Sequence, residues 1–461
     1  MPGTERLATW SRRFQRFAWG AGPALIYAPL GVLRNKWLAS TLSAPGLGVL
    51  AQVLAAMNWL GQAAGLGLGL PVTRLVGAAR AAGDSARERA VMRTALRLAL
   101  GTSCLIAALV LIAAPVLARA LLGSSAYAPL FRIASIGIIG LAGAGTLLAL
   151  FAGRGDVRPP ITIAVLGAVP ATVLTFLLVP RWGLAGAMIA AAVLYPAGAL
   201  AAIAVHRRRY RTALFGGLSG ERGEPAWAMA RVGAAGLALG LLDQGVLLVL
   251  RAHYVRTYGA AANGFLQAAL ALSQLSGSLF YTYLASYAFG TLSAAVAAAG
   301  PGPAGAAAAG AYTRRQGPAI FLLAALLFGT GMLISTPLLR LLFSHRFDPA
   351  RPLMAWALLG EYGRVGMQVL LLGALPVGGL RLYAPIAIAF PTAFAASYAV
   401  FTATGSGTLS LPRAYAAAGL VAVIAAAAIM SRRGVTLGAR EALALAGGAL
   451  LLAGVASRVL R

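Results

Sequence analysis

The sequence predicts an all-α polytopic membrane protein of about 12 transmembrane helices, or 13, in two pseudo-symmetric six-helix bundles. Three observations predict it. Hydrophobic residues make up 60% of the 461 and charged residues only 10%, where a soluble domain carries roughly a quarter charged residues. Apolar stretches of about 20 residues, enough for a helix to cross the roughly 30 Å hydrocarbon layer, recur along the whole chain. Motifs of the first half return in the same order in the second.

Lipid offers the backbone no hydrogen-bond partners, so spans are either helices or a closed barrel. The continuous apolar runs, with no alternation of period two, select helices. The predicted spans are 17–37, 47–73, 95–118, 129–152, 160–180, 183–205, 227–251, 260–288, 317–343, 352–375, 382–402 and 412–430. An N-terminal bundle (1–205) is followed by a polar, basic, glycine-rich linker (206–226), a C-terminal bundle (227–431) and a tail (432–461) whose apolar stretch 441–458 is a thirteenth span or a surface helix. The alanine- and glycine-rich stretch 292–316, with Pro301 and Pro303, reads as a long loop. Arg6, Arg12, Arg13 and Arg16 precede the first span without a small-residue cleavage site after it, which reads as a retained first helix.

The repeat is carried by three pairs. PVLARALLGSSAYAPL (115–130) matches PLLRLLFSHRFDPARPL (337–353), Pro170 matches Pro391, and GLGVLAQ (46–52) matches NGFLQAA (263–269). Six spans per half make this a parallel repeat about an axis along the membrane normal, the plan of carriers that bind between their halves. Gly61, Gly65 and Gly69 recur every four residues as a close-packing stripe. Pro23, Pro29, Pro170, Pro376 and Pro391 fall in or beside spans, where they kink helices. With the N-terminus inside, 24 basic residues fall on the inner side and 11 on the outer, so the N-terminus and the linker are expected in the cytoplasm.

The net charge of +28 does not indicate nucleic acid, because the arginines fall mostly between apolar runs, as topology requires. The single cysteine, Cys104, excludes a disulfide framework and is expected in core packing. His206, His253 and His345 fall in expected loops on both sides of the membrane, so no shared metal site is expected. No clustered acid pair, HExxH or Walker motif appears, and neither catalysis nor a cofactor is expected.

Charged residues within spans cost about 2.5–3.5 kcal/mol each on insertion scales and should face protein or water. Asp243 lies inside the seventh span, read as a packing partner for an arginine or as an ion-coupling group. Glu361 and Arg364 lie three residues apart on the tenth, read as a mutually neutralising pair or as functional groups. Arg34, Arg74, Arg132 and Arg251 lie at span ends, read as snorkelling to the interface or as lining a cationic cavity. Arginine takes phosphate through a bidentate fork, so such a cavity implies an anionic cargo.

The segments RNKWLASTLSAPGLGVLAQ (34–52), VPRWGLAGAMIAA (179–191) and LLDQGVLLVLRAHYVRTYGAAANGFLQAALALSQ (241–274) resemble the polysaccharide (O-antigen type) flippases of the multidrug/oligosaccharidyl-lipid/polysaccharide exporter superfamily. The likeness covers most of 10–430 as a span plan, with Asp243, Arg251, Gly264 and Gln267 in familiar places. It implies flipping of an undecaprenyl-diphosphate-linked oligosaccharide to the outer leaflet of a bacterial inner membrane by alternating access. It also implies a cationic cavity for the diphosphate, H+ or Na+ coupling, and contact with polysaccharide polymerase machinery. Arg34, Arg74, Arg132, Arg251 and Arg364 are the candidates for the diphosphate by position, and Asp243 and Glu361 for ion coupling or structural pairing. A lipid II flippase, a multidrug or cation antiporter of the same superfamily, and a membrane-embedded polysaccharide polymerase are the alternatives.

Overall fold

The computed structural model describes residues 2–156, 158–210, 226–435 and 438–460, and among them the regular structure is helical. The helices are α1 (Pro2–Ala64), α2 (Gly69–Ala81), α3 (Ser85–Leu122), α4 (Ala128–Gly153), α5 (Arg158–Tyr210), α6 (Ala226–Tyr283), α7 (Phe289–Ala299), α8 (Pro303–Leu333), α9 (Ser335–Leu342), α10 (Arg351–Ala403), α11 (Ser410–Ser431) and α12 (Ala439–Val459). Among the described residues, nine helices are long and apolar enough to cross a membrane, α12 included.

Four helices are each two arms joined at one non-helical residue. These are Ser43 in α1, Gly183 in α5, Gly259 in α6 and Gly379 in α10, all with positive φ. At 1.5 Å per residue, the 53 residues of α5 would reach about 80 Å if straight, far more than the hydrocarbon layer. The chain instead turns back at Gly183, and Gly167 on the first arm packs against the Leu194 carbonyl and Gly198 on the second. Each such helix supplies two spans, which reconciles nine helices with the larger number of apolar stretches.

Ends follow local chemistry. The Asp84 side chain caps α3 by accepting the Arg87 backbone N–H at 2.8 Å, and Gly123, at φ 78°, closes that helix. Gly300 and Gly302, both at positive φ, separate α7 from α8, and Pro303 opens α8 at its first turn.

The chain forms two compact units. Unit 1 comprises Met1–Ser43 and Val49–Leu241; unit 2 comprises Ala44–Gly48 and Leu242–Arg461. They share a plan. Interruptions of the α-helix at 43, 65–68, 82–84, 123–124, 154–156 and 183 recur in order at 259, 284–288 (a π-helical turn), 300–302, 343–344, 379 and 404–406, roughly 220 residues later. In unit 1, α4 crosses the second arm of α5 where a Cβ on Gly140 would lie 2.2 Å from the Pro196 nitrogen. In unit 2, the first arm of α10 crosses α11 where a Cβ on Gly363 would lie 2.3 Å from the Gly419 carbonyl carbon. Gly140 and Gly143 stand 220 positions before Gly360 and Gly363, and Tyr195 stands 220 before Tyr415.

Several expectations are corrected. The stretch 292–316 is helical apart from 300–302, because alanine has the highest helix propensity and only the glycine–proline step interrupts it. The glycine stripe is broken: α1 ends at Ala64 and 65–68 form turns, with Leu66 and Gly67 at positive φ. Gly61 alone of the three packs against another helix, at Leu141. Cys104 is exposed, not in the core. His206 and His253 lie within α5 and α6, and His206 is buried, since both helices run past their apolar stretches. Residues 211–225, most of the expected linker, and the N-terminal Met1 lie outside the described residues.

Candidate functional site

Unit 2 joins three of its charged side chains, Asp243, Arg364 and Glu361, through two tyrosines into one connected chain. Asp243 comes from the first arm of α6 and Tyr281 from its second arm, Glu361 and Arg364 from the first arm of α10, and Tyr415 from α11. Arg364 Nη2 donates to Asp243 Oδ2 at 2.9 Å, and Nη1 donates to the Tyr415 hydroxyl at 3.1 Å. That hydroxyl donates in turn to Glu361 Oε2 at 2.5 Å, and Tyr281 donates to Glu361 Oε1 at 2.6 Å. The Arg364 guanidinium lies 4.4 Å from the centroid of the Phe390 ring, a cation–π contact that holds its plane.

Small residues make this arrangement fit. Gly360, Gly363 and Gly419 let α10 and α11 touch backbone to backbone, which brings Tyr415 within reach of both Glu361 and Arg364. Gly277 leaves the space that Glu361 Oε1 fills, since a Cβ there would stand 2.1 Å from that oxygen. Glu361 and Arg364 share a helix and the Tyr415 hydroxyl but do not pair directly with each other. Glu361 accepts from two tyrosines, and the ion pair is Arg364 with Asp243.

The two ends of the chain differ. Glu361 is 1% exposed, whereas the Asp243 and Arg364 side chains keep 31% and 17% exposure. The Nε–Nη2 edge of Arg364, able to take an anion with two parallel bonds, holds one carboxylate oxygen on Nη2, and Nε is buried without a hydrogen-bond partner. Two acids surround one guanidinium, so the fully ionised cluster carries one negative charge.

The other candidate arginines are dispersed. Arg251 is 4% exposed; its Nε donates to Asn263 Oδ1 at 3.1 Å, and its Nη2 is buried without a hydrogen-bond partner. Asn263 Nδ2 donates to the Gly48 carbonyl at 2.7 Å. There the backbones of 44–48 and 260–264 cross reciprocally: a Cβ on Gly48 would lie 2.0 Å from the Ala260 oxygen, and one on Gly264 would lie 1.9 Å from the Ala44 oxygen. Arg34 is half-buried on α1, and Arg74 and Arg132 are exposed on α2 and α4.

Sequence reasoning missed Tyr281 and Tyr415, which join the charges, because a tyrosine in an apolar run resembles any core aromatic. The signal available was the G-x-x-G spacing, present at 140–143 and again at 360–363. It also missed a second cluster, in unit 1: Glu88 pairs with Arg154, whose guanidinium lies 3.7 Å from the Tyr210 ring centroid, and Asp156 pairs with Arg209 at 3.1 Å. Among the described residues no group of histidine, cysteine and acidic side chains has the makings of a metal site.

Residues 30–178 match the MatE family. The lipid III flippases of Escherichia coli (strain K12) and Shigella flexneri are each 32% identical to this chain over 138 residues, which is 30% of this chain and 33% of theirs. The chain therefore aligns with about a third of the length of these curated relatives. An inward-facing multidrug resistance MATE family transporter of the MOP superfamily superposes with a TM-score of 0.71 at 15% identity, covering 92% of this chain and 94% of that one. A lipid II flippase in an inward closed conformation gives 0.64 at 13% identity, covering 96% and 99%. The chain has the fold of the MATE transporters, a multi-pass helical architecture.

Proposed function

We propose that this chain is a secondary transporter of the MOP superfamily that flips a lipid-diphosphate-linked oligosaccharide, with undecaprenyl diphosphate as the carrier, from the cytoplasmic to the outer leaflet of the bacterial inner membrane by alternating access. The observation that carries the reading is Arg364, a guanidinium fixed on Phe390 inside a bundle of apolar helices with one of its two-pronged edges half filled. Buried cations of this kind mark substrate paths in membrane proteins, and the fork geometry suits a phosphate. Arg34, Arg74, Arg132 and Arg251 are the further candidates for the diphosphate by their positions in the sequence. The similarity to lipid III flippases over 138 residues supports the same substrate class.

Physics makes the task sensible. A sugar diphosphate cannot desolvate into lipid, while its polyprenyl tail stays in the bilayer. Moving a dianion out of a negative interior across 100 mV gains roughly twice 2.3 kcal/mol. The potential thus drives export, and an unchanged rate in liposomes after its collapse, at constant pH and sodium, would refute that part.

A second reading, a cation or multidrug antiporter, is favoured by one feature: the acids Asp243 and Glu361 outnumber Arg364 in the cluster. The deciding experiment substitutes the five arginines by glutamine in a strain that depends on the chain for surface glycan. Loss of display with normal membrane insertion is expected. Normal display from the fully substituted protein would remove the cationic-path reading, and resistance to cationic dyes on expression would establish the antiporter.

A further inference from the structure

We infer that Asp243 is a tethered substitute for the substrate's phosphate, occupying the Arg364 edge when the site is empty, yielding it to a phosphate oxygen, and expelling that oxygen when it returns. This rests on the reading of Arg364 as the phosphate-binding group and adds how the site releases what it binds. Three observations carry it. The contact is single, Oδ2 on Nη2 at 2.9 Å, while the neighbouring Nε has no partner, so the carboxylate underuses an edge that a phosphate fills with two bonds. The guanidinium does not depend on Asp243 for its position, because Phe390 at 4.4 Å and the Tyr415 hydroxyl at 3.1 Å hold it from other sides. The carboxylate is the more exposed partner of its ion pair, at 31% against 17% for Arg364, whereas Glu361 is held between two tyrosines at 1%. Among the described residues, the Asp243 carboxylate is held by the Arg364 contact alone.

A tethered competitor lowers the apparent affinity for an external anion by the fraction of time it leaves the edge open. Its return supplies what a tight phosphate site lacks, a means of letting go. The outgoing and incoming partners are both anions, so no bond other than hydrogen bonds is made or broken.

The test is a double-mutant cycle on the purified full-length chain, with farnesyl diphosphate as the probe and calorimetry as the readout. Asp243→Asn is expected to tighten binding about tenfold, the worth of one charge-assisted contact. Asp243→Glu, which keeps the charge and the reach, should stay near wild type. In an Arg364→Gln background Asp243→Asn should change nothing. Glu361→Gln removes the same charge without touching the edge and should tighten binding less than Asp243→Asn. Unchanged or weaker binding by Asp243→Asn overturns the inference, as does equal tightening in the Arg364→Gln background, which would be general electrostatics. Absence of binding by wild type and Asp243→Asn alike overturns the diphosphate reading itself, and the inference with it.

Discussion

Replacing Tyr415 by Phe removes one oxygen atom from the centre of the unit 2 cluster and leaves the ring in place. The ring packs edge-on against Phe390 and Phe394, at 5.4 and 5.6 Å between centroids, so no cavity opens. Two hydrogen bonds to charged groups disappear, one given to Glu361 and one received from Arg364. Each is worth about 1.5–3 kcal/mol, and Glu361 keeps Tyr281 as a donor, so the expected loss is about 3–5 kcal/mol. Tyr281→Phe removes one such bond and should cost about half as much. Equilibrium unfolding in mixed micelles measures both. The cycle of Tyr415→Phe with Glu361→Gln should show strong non-additivity, since the first change removes much of what the second acts on. A loss below about 0.5 kcal/mol for Tyr415→Phe, within the range of ordinary surface changes, would mean that the hydroxyl is not the bridge between the two charges.

Other outcomes follow from particular contacts. Gly363→Ala puts a methyl 2.3 Å from the Gly419 carbonyl carbon and should destabilise by at least about 1–3 kcal/mol in the same assay. Gly145→Ala, on α4 with nothing within 4 Å of the new Cβ, should stabilise by about 0.5–1 kcal/mol. Asn263→Ala strips the Gly48 carbonyl of its donor and Arg251 of its acceptor, and should cost about 2–4 kcal/mol and lower the melting temperature in detergent. Glu88→Gln should weaken unit 1 by about 1–3 kcal/mol, because Arg154 beside it is only 9% exposed, while its stack on Tyr210 persists.

The helical class was legible because lipid leaves a single solution for most of the backbone, and apolar length reports it directly. The breaks at Gly183 and Gly379 were legible as well, since the predicted spans part at 180–183 and at 375–382, beside Arg181 and Arg381. The stretch 292–316 misled, since alanine and glycine carry little hydropathy but alanine holds a helix well. For the site, intramembrane charge pointed to Asp243, Glu361 and Arg364 as residues that needed partners. It left open which partners they found. Spacing along one helix joined Glu361 to Arg364, whereas the geometry gives Arg364 to Asp243, 121 residues away, and Glu361 to two tyrosines. Partners across helices depend on backbone approach, set here by Gly277, Gly360, Gly363 and Gly419, and no local window contains that information.

The two units share their breaks and their glycine crossing but not their chemistry. Leu141 stands where Glu361 stands in the second G-x-x-G, and Ala144 where Arg364 stands. The repeated tyrosine survives in both: Tyr195 donates to Asn58 at 3.0 Å in unit 1, while Tyr415 bridges the charges in unit 2. A crossing that packs with leucine and alanine in one copy does not need charges to be stable in the other. Each buried charge in unit 2 therefore costs free energy that packing alone would never have incurred. Packing stability does not explain their presence, and the partly exposed end of the chain at Asp243 and Arg364 is where the proposed function puts its ligand.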